Sequence, residues 1–542
     1  MIATAILLAV AVSQRPATVD LKRPASDAML SVVSVIGGGA PLEWAGSQLA
    51  GGDLNGDGIQ DLVVAAPGGS EDRPSRRGRL YIIYGSVTPR PSISLLPPKG
   101  AVVEPGAPDV VVNGADDFDH VGRALAVADF DGDGLADVAA GAPRADGPLN
   151  ARPDCGEITI LYGAHSLPRV IELGSPPAGV RVTTLVGAAP GDTLGASLAA
   201  ADLSGDGIAD LVAGAPLADG VAGAMGALDT GNAMAIVMER SMPAQIDLSA
   251  PLLPVAVALW SGRDAGDQAG SAVAAGDFNG DGKADIAVGA RGADGMRNVL
   301  PESGEIYLML GPGVPGGVLD DIATAVILAA DVGDLAGSSL LMADLDGDGR
   351  DELIAGAETA DGGENSRMDA GEAYVVAGRD AARLQAMRPP PQVSASSPSS
   401  VTQRLLASLP GGGDPAAGPV LMRLGPGEAF DVRTLPAADP GDHLNVRAAG
   451  DLDGDGRLEL ILGAEDSSSR RNTRAGGGEV HVIMPDGRRI EIFGPAGGAH
   501  LGRAVCALDW DGDGRRELAV AAPQSGRTNS GRIWVLQLRQ GL

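Results

Sequence analysis

Short apolar runs recur along the chain and are separated by stretches rich in Gly, Pro, Asp and Ser. Many runs are apolar at consecutive positions, as in residues 62–66 (Leu-Val-Val-Ala-Ala), which predicts strands buried on both faces. The runs come in sets of four with turn residues between them, and the set occurs seven times. Four short strands per set predict an antiparallel sheet. Seven such sheets predict an all-β fold, a seven-bladed β-propeller of four-stranded antiparallel blades.

The third set shows the order of its parts. A turn at Gly191–Gly195 precedes a strand of small residues at Ala196–Ala201, which leads into an acidic loop. A second apolar run ends in Gly214–Pro216 (Gly-Ala-Pro), and the other sets end this run in the same way or in a related one. The third and fourth strands are predicted at Ala233–Met238 and Val255–Trp260.

The two ends of the chain carry complementary parts of one set. The seventh set stops after its third run, whereas an unassigned strand-like run, Leu30–Ile36, precedes the first set. We predict that this N-terminal strand completes blade 7, because closing the ring removes exposed sheet edges. A loose N-terminal strand on the surface is the alternative.

Each set contains one nine-residue loop of the pattern Asp-x-(Asp/Asn/Ser)-Gly-Asp-Gly-x-x-(Asp/Glu). Side-chain oxygens at loop positions 1, 3, 5 and 9, with the main-chain carbonyl of position 7, form a donor set suited to Ca²⁺. Glycines at positions 4 and 6 allow the positive φ angles that a tight loop needs. One acidic loop is explained equally well as a solvated turn, but seven copies in one context favour metal sites.

The sequence therefore predicts up to seven Ca²⁺ ions, one per blade, held by 35 residues. The predicted ligands are Asp53, Asn55, Asp57, Ile59, Asp61, Asp129, Asp131, Asp133, Leu135, Asp137, Asp202, Ser204, Asp206, Ile208, Asp210, Asp277, Asn279, Asp281, Lys283, Asp285, Asp344, Asp346, Asp348, Arg350, Glu352, Asp451, Asp453, Asp455, Arg457, Glu459, Asp509, Asp511, Asp513, Arg515 and Glu517. An EF-hand would need a Glu at loop position 12 and flanking helices, whereas every copy has an apolar residue there. EF-hands are excluded.

Composition narrows the class of partner. The 542 residues carry a formal net charge of −30, and much of this acidity belongs to the predicted metal ligands. Such clustered carboxylates should repel one another without metal. No segment of the sequence is basic enough to bind nucleic acid, so nucleic acid is disfavoured as a partner. Aromatic residues form 3% of the chain, unlike the Trp-rich blades of WD40 repeats.

The predicted domain organisation is one large propeller over residues 31–542, with a flexible insertion at 379–430 within blade 5 that is rich in Pro, Ser and Gly. We predict a signal peptide at residues 1–13 and a leader at 14–30, because residues 2–12 form an apolar stretch too short to span a bilayer. A frayed apolar N-terminus is the alternative. Cys155 and Cys506 are expected to lie far apart and to form no disulfide.

The repeated turn, strand, acidic loop, strand and Gly-Ala-Pro resemble the FG-GAP repeat of the integrin α-subunit N-terminal propeller, which also occurs in many bacterial secreted proteins. The resemblance covers residues 31–542 and implies a seven-bladed propeller with Ca²⁺ between the first and second strands. In six sets an aliphatic residue replaces the aromatic of the Phe-Gly pair, and set 6 has Leu444-Asn445 instead. Loops in all seven sets suggest a bacterial-type relative. No stalk domain or membrane span follows, so integrin-style signalling is not implied.

Catalytic motifs are not evident. His120, His443 and His500 share one turn position, which fits either a shared metal or catalytic cluster or, more simply, a repeated polar turn residue. No nucleophile elbow, phosphate loop, zinc-type His cluster or Cys-x-x-Cys is present. Phospholipase D relatives with FG-GAP repeats carry a separate His-rich catalytic domain, for which this chain has no room.

We therefore expect no enzyme but a monomeric, calcium-binding propeller that binds an extracellular protein or glycan, as in adhesion. It should be secreted, periplasmic or at the cell surface, since weak calcium sites fill only where Ca²⁺ is on the order of millimolar. A propeller hydrolase or lyase acting on extracellular polysaccharide or phosphodiester at the central channel is the alternative. A purely structural envelope component is a third. A converging acid/base pair at the channel mouth would favour the enzyme, and a broad loop-built face would favour binding.

Overall fold

The computed structural model describes most of the chain. The described residues are 17–21, 30–38, 42–68, 77–96, 106–220, 228–295, 298, 300–311, 316–329, 331–361, 368–378, 420–423, 432–436, 441–467, 475–525 and 529–539. The predicted signal peptide at residues 1–13 lies outside this part, as does most of the predicted insertion at 379–430.

The described residues form 34 strands. In chain order they are β1 (Ala17–Asp20), β2 (Leu30–Gly37), β3 (Gln48–Gly52), β4 (Asp61–Ala66), β5 (Arg79–Ile83), β6 (Ser92–Ser94), β7 (Val110–Asn113), β8 (Ala124–Ala128), β9 (Asp137–Ala142), β10 (Glu157–Leu161), β11 (Val170–Glu172), β12 (Val182–Val186), β13 (Ser197–Ala201), β14 (Asp210–Ala215), β15 (Asn232–Ile236), β16 (Gln245–Asp247) and β17 (Val257–Ser261). The second half contains β18 (Ala269–Gly276), β19 (Asp285–Ala290), β20 (Glu305–Met309), β21 (Gly317–Val318), β22 (Ala325–Leu328), β23 (Ala336–Ala343), β24 (Glu352–Ala357), β25 (Glu372–Val376), β26 (Val420–Arg423), β27 (Val432–Pro436), β28 (Leu444–Gly450), β29 (Glu459–Ala464), β30 (Glu479–Ile483), β31 (Arg489–Phe493), β32 (Val505–Leu508), β33 (Glu517–Ala522) and β34 (Arg532–Leu538). A 3₁₀ turn at Pro148–Asn150 and one helical turn, α1 (Leu319–Ile322), are the helical segments described.

These strands form seven sheets, one for each predicted set. From the axis outward the antiparallel strands are β3–β4–β5–β7 in blade 1, β8–β9–β10–β12 in blade 2, β13–β14–β15–β17 in blade 3, β18–β19–β20–β22 in blade 4, β23–β24–β25–β27 in blade 5, β28–β29–β30–β31 in blade 6 and β32–β33–β34–β2 in blade 7. The first strands contact one another in a closed circle, since β3 packs against both β8 and β32. The all-β, seven-bladed propeller is confirmed.

The N-terminal strand closes the ring as predicted. Strand β2 pairs antiparallel with β34, from Leu30 opposite Leu538 to Gly37 opposite Arg532. Blade 7 therefore takes three strands from the end of the chain and its fourth strand from near the beginning. Strand β2 covers the edge that β34 would otherwise expose. Removal of this exposed edge was the physical reason for predicting ring closure.

Six blades have a fifth strand that the sequence analysis did not predict. In five of them the next set along the chain contributes a short strand parallel to the fourth strand, as β11 does beside β7. In blade 6 the fifth strand is β1, from within the segment predicted as a leader. Strand β26 comes from the segment predicted as a flexible insertion and pairs with β22 of blade 4. Part of the segment predicted as a flexible insertion therefore forms a strand.

The blades pack closely through small residues. Every residue of all seven second strands is buried, which agrees with strands covered on both faces. Gly122, just before β8, has φ +90°, and a Cβ at this position would lie 2.8 Å from the Cβ of Ala65 in blade 1. Only glycine fits such an approach without displacing the neighbouring blade.

Strand direction defines the two faces of the propeller. The acidic loops and the connections from third to fourth strands lie on one face, which we call the acidic-loop face. Connections from second to third strands, and from each blade to the next, lie on the opposite face, which we call the turn face. Cys155 and Cys506 belong to different blades and are both free, as expected.

Candidate metal centres

The seven acidic loops share one backbone conformation. Glycines at loop positions 4 and 6 have positive φ in every copy, between 69° and 90°. The predicted need for two glycines is therefore confirmed. These angles let the loop turn back on itself, so that the polar side chains at positions 1, 3 and 5 lie over the same short stretch of backbone.

Backbone N–H groups hold the loop side chains in place. In blade 1, Asp53 Oδ1 accepts hydrogen bonds from the N–H of Gly56 at 2.7 Å and of Asp57 at 3.2 Å, while Asp53 Oδ2 accepts from Gly58 at 2.8 Å. The Asn55 Oδ1 accepts from the N–H of Asp57 at 2.9 Å. Bonds of the same kind recur in the other blades. The loop therefore places its donor side chains before any ion binds.

The carboxylate at position 9 anchors each loop to the body of the blade. Asp61 is fully buried, and it accepts hydrogen bonds from the N–H of Leu54 at 2.9 Å and of Gly85 at 3.0 Å. Gly85 follows the third strand, so this carboxylate joins the loop to that strand. Burial raises the pKa of the position-9 carboxyl to about 7 in Asp61, Asp137, Asp285, Glu459 and Glu517 and to about 6 in Asp210, and it also raises the pKa of Glu352.

Four of the seven loops bring three carboxylates together. Carboxylate oxygens lie within 4.8 Å of one another in the groups Asp129–Asp131–Asp137, Asp344–Asp346–Asp348, Asp451–Asp453–Glu459 and Asp509–Asp511–Glu517. The other three loops have Asn or Ser at position 3, so they offer one carboxylate fewer, although they keep the same fold. Within the described residues, no such acidic group includes a histidine.

Buried carboxylate oxygens without hydrogen-bond partners indicate that the acidic loops are suited to a divalent cation. Glu459 Oε1, Glu517 Oε1 and Asp509 Oδ1 are buried and accept no hydrogen bond. A buried carboxylate oxygen without a partner is costly, and each of these three belongs to a group of converging carboxylates. A hard cation bound by these oxygens would remove that cost.

An arginine already occupies part of the site in blade 2. Arg181 forms an ion pair with Asp131, the side chain at loop position 3, and its guanidinium stacks over the ring of Tyr162 at 3.8 Å. The sequence analysis missed this residue, because it lies 50 positions away in the chain. Arg181 balances the charge of Asp131 and would compete with any cation for this carboxylate.

Neighbouring loops are linked by backbone hydrogen bonds. In five of the seven blades the N–H at position 8 donates to the carbonyl of position 1 in the preceding blade, as Ala136 does to Asp53 at 2.9 Å and Ala209 does to Asp129 at 3.0 Å. Gln60 donates in the same way to Asp509 at 3.2 Å, across the closure of the ring. These bonds join acidic loops of adjacent blades directly.

The three histidines of the shared turn position do not converge on one point. His443 Nδ1 and His500 Nδ1 contact the two carboxylate oxygens of Asp466 at 3.0 and 3.1 Å. Hydrogen bonding to His500 lowers the pKa of Asp466 to about 2. His120 instead lines a separate pocket with Trp44. The same turn position has positive φ in all seven blades, so it is also a repeated conformational feature.

Comparison with known proteins identifies the repeat. The FG-GAP repeat matches seven segments, at residues 45–83, 121–160, 194–231, 269–309, 336–376, 448–483 and 501–536. The chain belongs to the FG-GAP repeat family. Each match includes the acidic loop and the second strand of one blade, and six of the seven extend into the third strand. The FG-GAP match in blade 6 begins only at residue 448, after the divergent pair Leu444-Asn445.

Two kinds of curated relative share part of this propeller. The phosphatidylinositol-glycan-specific phospholipase D of Rattus norvegicus is 38% identical over 185 residues, which cover 33% of this chain and 19% of that protein. The corresponding protein of Homo sapiens is 34% identical over 184 residues, with the same coverage. Integrin alpha-IIb of Homo sapiens is 32% identical over 185 residues, covering 33% of this chain and 15% of the integrin. The match thus spans less than a fifth of each relative. No helix in the described part of the chain has both the length and the hydropathy needed to cross a bilayer.

Proposed function

We propose that the protein is a calcium-stabilised propeller that binds an extracellular protein or glycan without catalysis. Up to seven Ca²⁺ ions would be held by side chains at loop positions 1, 3, 5 and 9 and by the carbonyl of position 7. The unpartnered buried oxygens of Glu459 and Glu517 support this assignment. The cations would offset the repulsion among the carboxylates and stabilise the linked loops.

The turn face supplies the surface for a ligand, and this observation carries the proposal. Of the eleven exposed large hydrophobic side chains among the described residues, seven lie in loops of this face: Leu42, Phe118, Leu149, Leu217, Leu228, Val332 and Met368. Leu42, Phe118 and Leu149 also have φ between 60° and 77°, a left-handed conformation that bulky residues rarely adopt. Exposed apolar side chains on strained backbone are typical of interaction surfaces.

The binding role is tested by comparing the two faces. The labelled full-length chain is applied in Ca²⁺ to a glycan array and to immobilised envelope proteins. The double variant Phe118→Ser, Leu149→Ser should lose most of the binding, whereas Val87→Ser should retain it. Val87 is also exposed and apolar, but it lies on the acidic-loop face, next to Ser86, whose N–H donates to the carbonyl of Trp510 in the acidic loop of blade 7. Binding that depends on Val87 and not on Phe118 would contradict the proposal.

Calcium removal tests the stabilising role. At a free Ca²⁺ concentration ten times the dissociation constant, each site contributes about 1.4 kcal/mol to the free energy of unfolding, or about 10 kcal/mol over seven sites. Excess EGTA should therefore lower the Tm by many degrees. An unchanged Tm would mean that the loops hold no structural metal.

A hydrolase is the second candidate, and one observation favours it. Asp466 bridges His443 and His500 on the turn face, which is an arrangement suited to proton transfer. One group of relatives is also named as a phospholipase D, although the match covers only 19% of that protein. Turnover of bis-p-nitrophenyl phosphate, phosphatidylinositol-glycan or polysaccharide that disappears in Asp466→Asn would establish the enzyme. Absence of turnover on all three agrees with the binding role.

The proposed location is outside the cytoplasm. The apolar stretch at residues 2–12 supports export, and sites of this kind are filled where Ca²⁺ is on the order of millimolar. Expression of the full chain with an epitope tag at its C-terminus, followed by fractionation and sequencing of the mature N-terminus, tests both points. A cytoplasmic product that keeps residues 1–13 would contradict them.

A further inference from the structure

A pocket on the turn face is lined by positively charged residues although the chain has a net charge of −30. It lies between blades 7, 1 and 2, at the mouth of the central channel, and has a volume of about 260 Å³. Arg123, Arg144 and Arg503 line it, with Trp44 and His120. We call this site the arginine pocket. A local positive field on an acidic protein attracts anions selectively.

The repeat itself brings these arginines together. Arg123 and Arg503 directly follow Gly122 and Gly502, the glycines that begin blades 2 and 7. Arg144 directly follows the Gly-Ala-Pro of blade 2. Equivalent positions of different blades meet around the axis. Arginines at these positions therefore lie close together. Most other blades have small or uncharged residues at the equivalent positions.

The charges in the pocket are only partly balanced within the described residues. Arg503 donates a hydrogen bond to Glu465 at 2.9 Å, and Glu465 also contacts Arg447 at 3.6 Å. The guanidinium groups of Arg123 and Arg144 are exposed and have no hydrogen bond or ion pair to a described residue. The side chain of Arg123 reaches solvent, but desolvation by the surrounding pocket and the like charge of Arg503 lower its pKa. An anionic group could form charge-assisted hydrogen bonds with these two guanidinium groups.

Two exposed apolar side chains lie in the turns that supply Trp44 and His120 to the pocket. Leu42 and Phe118, which are 58% and 57% exposed, lie two residues before Trp44 and His120 in the equivalent turns of blades 1 and 2. A ligand that reached Arg123 would therefore also meet exposed hydrocarbon. An acidic side chain flanked by apolar residues satisfies both features, whereas a free sulfate or a uronic acid would leave Leu42 and Phe118 uncovered.

We propose that the arginine pocket binds the carboxylate of an Asp or Glu side chain presented by a protein partner, with Leu42 and Phe118 contacting apolar residues beside it. The inference rests on the proposed binding role of the turn face and specifies its ligand. A guanidinium presents a planar fork of N–H donors that matches a carboxylate, and Arg123 and Arg144 can each supply such a fork. Trp44 and His120 form the remaining wall.

The test uses a displayed library of random 12-residue peptides, selected on the full-length protein in Ca²⁺. Peptides that carry Asp or Glu beside Leu, Ile or Phe should be enriched. Replacing that acidic residue with its amide should weaken binding at least tenfold. Arg123→Gln should weaken it by a similar factor, and the two changes together should add little more. Trp44 provides a local signal, because the other three tryptophans are at most 3% exposed.

Two arginine variants serve as controls. Arg488→Gln removes an exposed arginine on the acidic-loop face and should leave peptide binding unchanged. Arg123→Lys keeps the charge but loses the fork, so it should recover only part of the affinity. The melting temperature of each variant confirms folding. Since Arg123 is exposed, its replacement should not unfold the protein.

Several results would overturn the proposal. These are selection of no peptide, selection of peptides without an acidic residue, or peptide binding unaffected by Arg123→Gln. Binding of uronic acid oligosaccharides that depends on Arg123, in the absence of peptide binding, would assign the pocket to a glycan instead. If Phe118→Ser lost binding and Arg123→Gln retained it, the turn face would still be a binding surface, but the proposed carboxylate ligand of the arginine pocket would be rejected.

Discussion

Asp119 offers a sharp test of how the buried turns contribute to stability. This carboxylate precedes the first strand of blade 2, is 4% exposed and accepts a hydrogen bond from the N–H of Asp116 at 3.1 Å. Burial raises its pKa from 3.8 to about 7, and the nearby Glu157 adds to the effect. An asparagine has the same shape and can accept the same hydrogen bond without a charge. Asp119→Asn should therefore stabilise the protein increasingly as the pH rises.

The magnitude follows from proton linkage. Below pH 3.8 the carboxyl is protonated in both the folded and the unfolded state, so its ionisation costs nothing. Between pH 3.8 and about 7 the unfolded state releases the proton first, and the free energy of unfolding falls as the pH rises. At 1.36 kcal/mol per pKa unit, the interval from pH 5 to about 7 corresponds to about 2.7 kcal/mol. Above pH 7 the loss is complete.

The assay is denaturant unfolding of the wild type and Asp119→Asn at pH 5 and pH 8, with the same free Ca²⁺ concentration. The stability difference between the two proteins should shift toward the variant by about 2–3 kcal/mol between these pH values. Asp117→Asn is the matched control, because Asp117 lies in the same turn but is exposed and pairs with Arg77. Its effect should stay below about 1 kcal/mol at both pH values. A pH-independent effect of Asp119→Asn would refute the reasoning.

Two further predictions concern the metal loops and the blade interfaces. Arg181→Met should raise the calcium affinity of the blade 2 site several-fold, because Asp131 loses a competing cation; calorimetric titration that shows equal or weaker affinity would contradict this. Gly122→Ala should destabilise the protein by about 3 kcal/mol or more, since the new methyl would meet Ala65 at 2.8 Å on a backbone with φ +90°. Gly191→Ala has nearly the same φ, +87°, but no neighbour within 4 Å, so it should cost only about 1 kcal/mol, and equal losses would refute the packing argument.

Much of the fold was predictable because each blade repeats a strong local pattern. Buried second strands such as Leu62–Ala66 are apolar at every position, and glycine-rich turns mark their ends. The orphan run at Leu30–Ile36 identified the closing strand, because one blade otherwise lacked its fourth strand. The fifth strands were not predictable. Ser92–Ser94 has only three residues with one buried, so its pairing depends on the open edge of the neighbouring blade and not on its own sequence.

The acidic loops were also readable from the sequence, since all their donors lie within nine consecutive residues. The contacts that couple them were not, because they join distant parts of the chain, as Arg181 and Asp131 do. The arginine pocket did have a sequence signature. Arg123 and Arg503 occupy the same position of two repeats, and Arg144 follows a Gly-Ala-Pro, but only the circular order of the blades shows that these positions meet.

The central proposal is that the acidic loops bind Ca²⁺, with up to seven ions per chain. The most direct measurement is the number of calcium ions per chain, by elemental analysis and calorimetric titration of the EGTA-stripped full-length protein. The account predicts up to seven ions, and one tightly bound ion fewer in either Asp206→Asn or Asp281→Asn, because each variant replaces a position-5 carboxylate with a neutral amide and so weakens one site. A stripped protein that takes up no Ca²⁺, or variants that bind as many ions as the wild type, would contradict it.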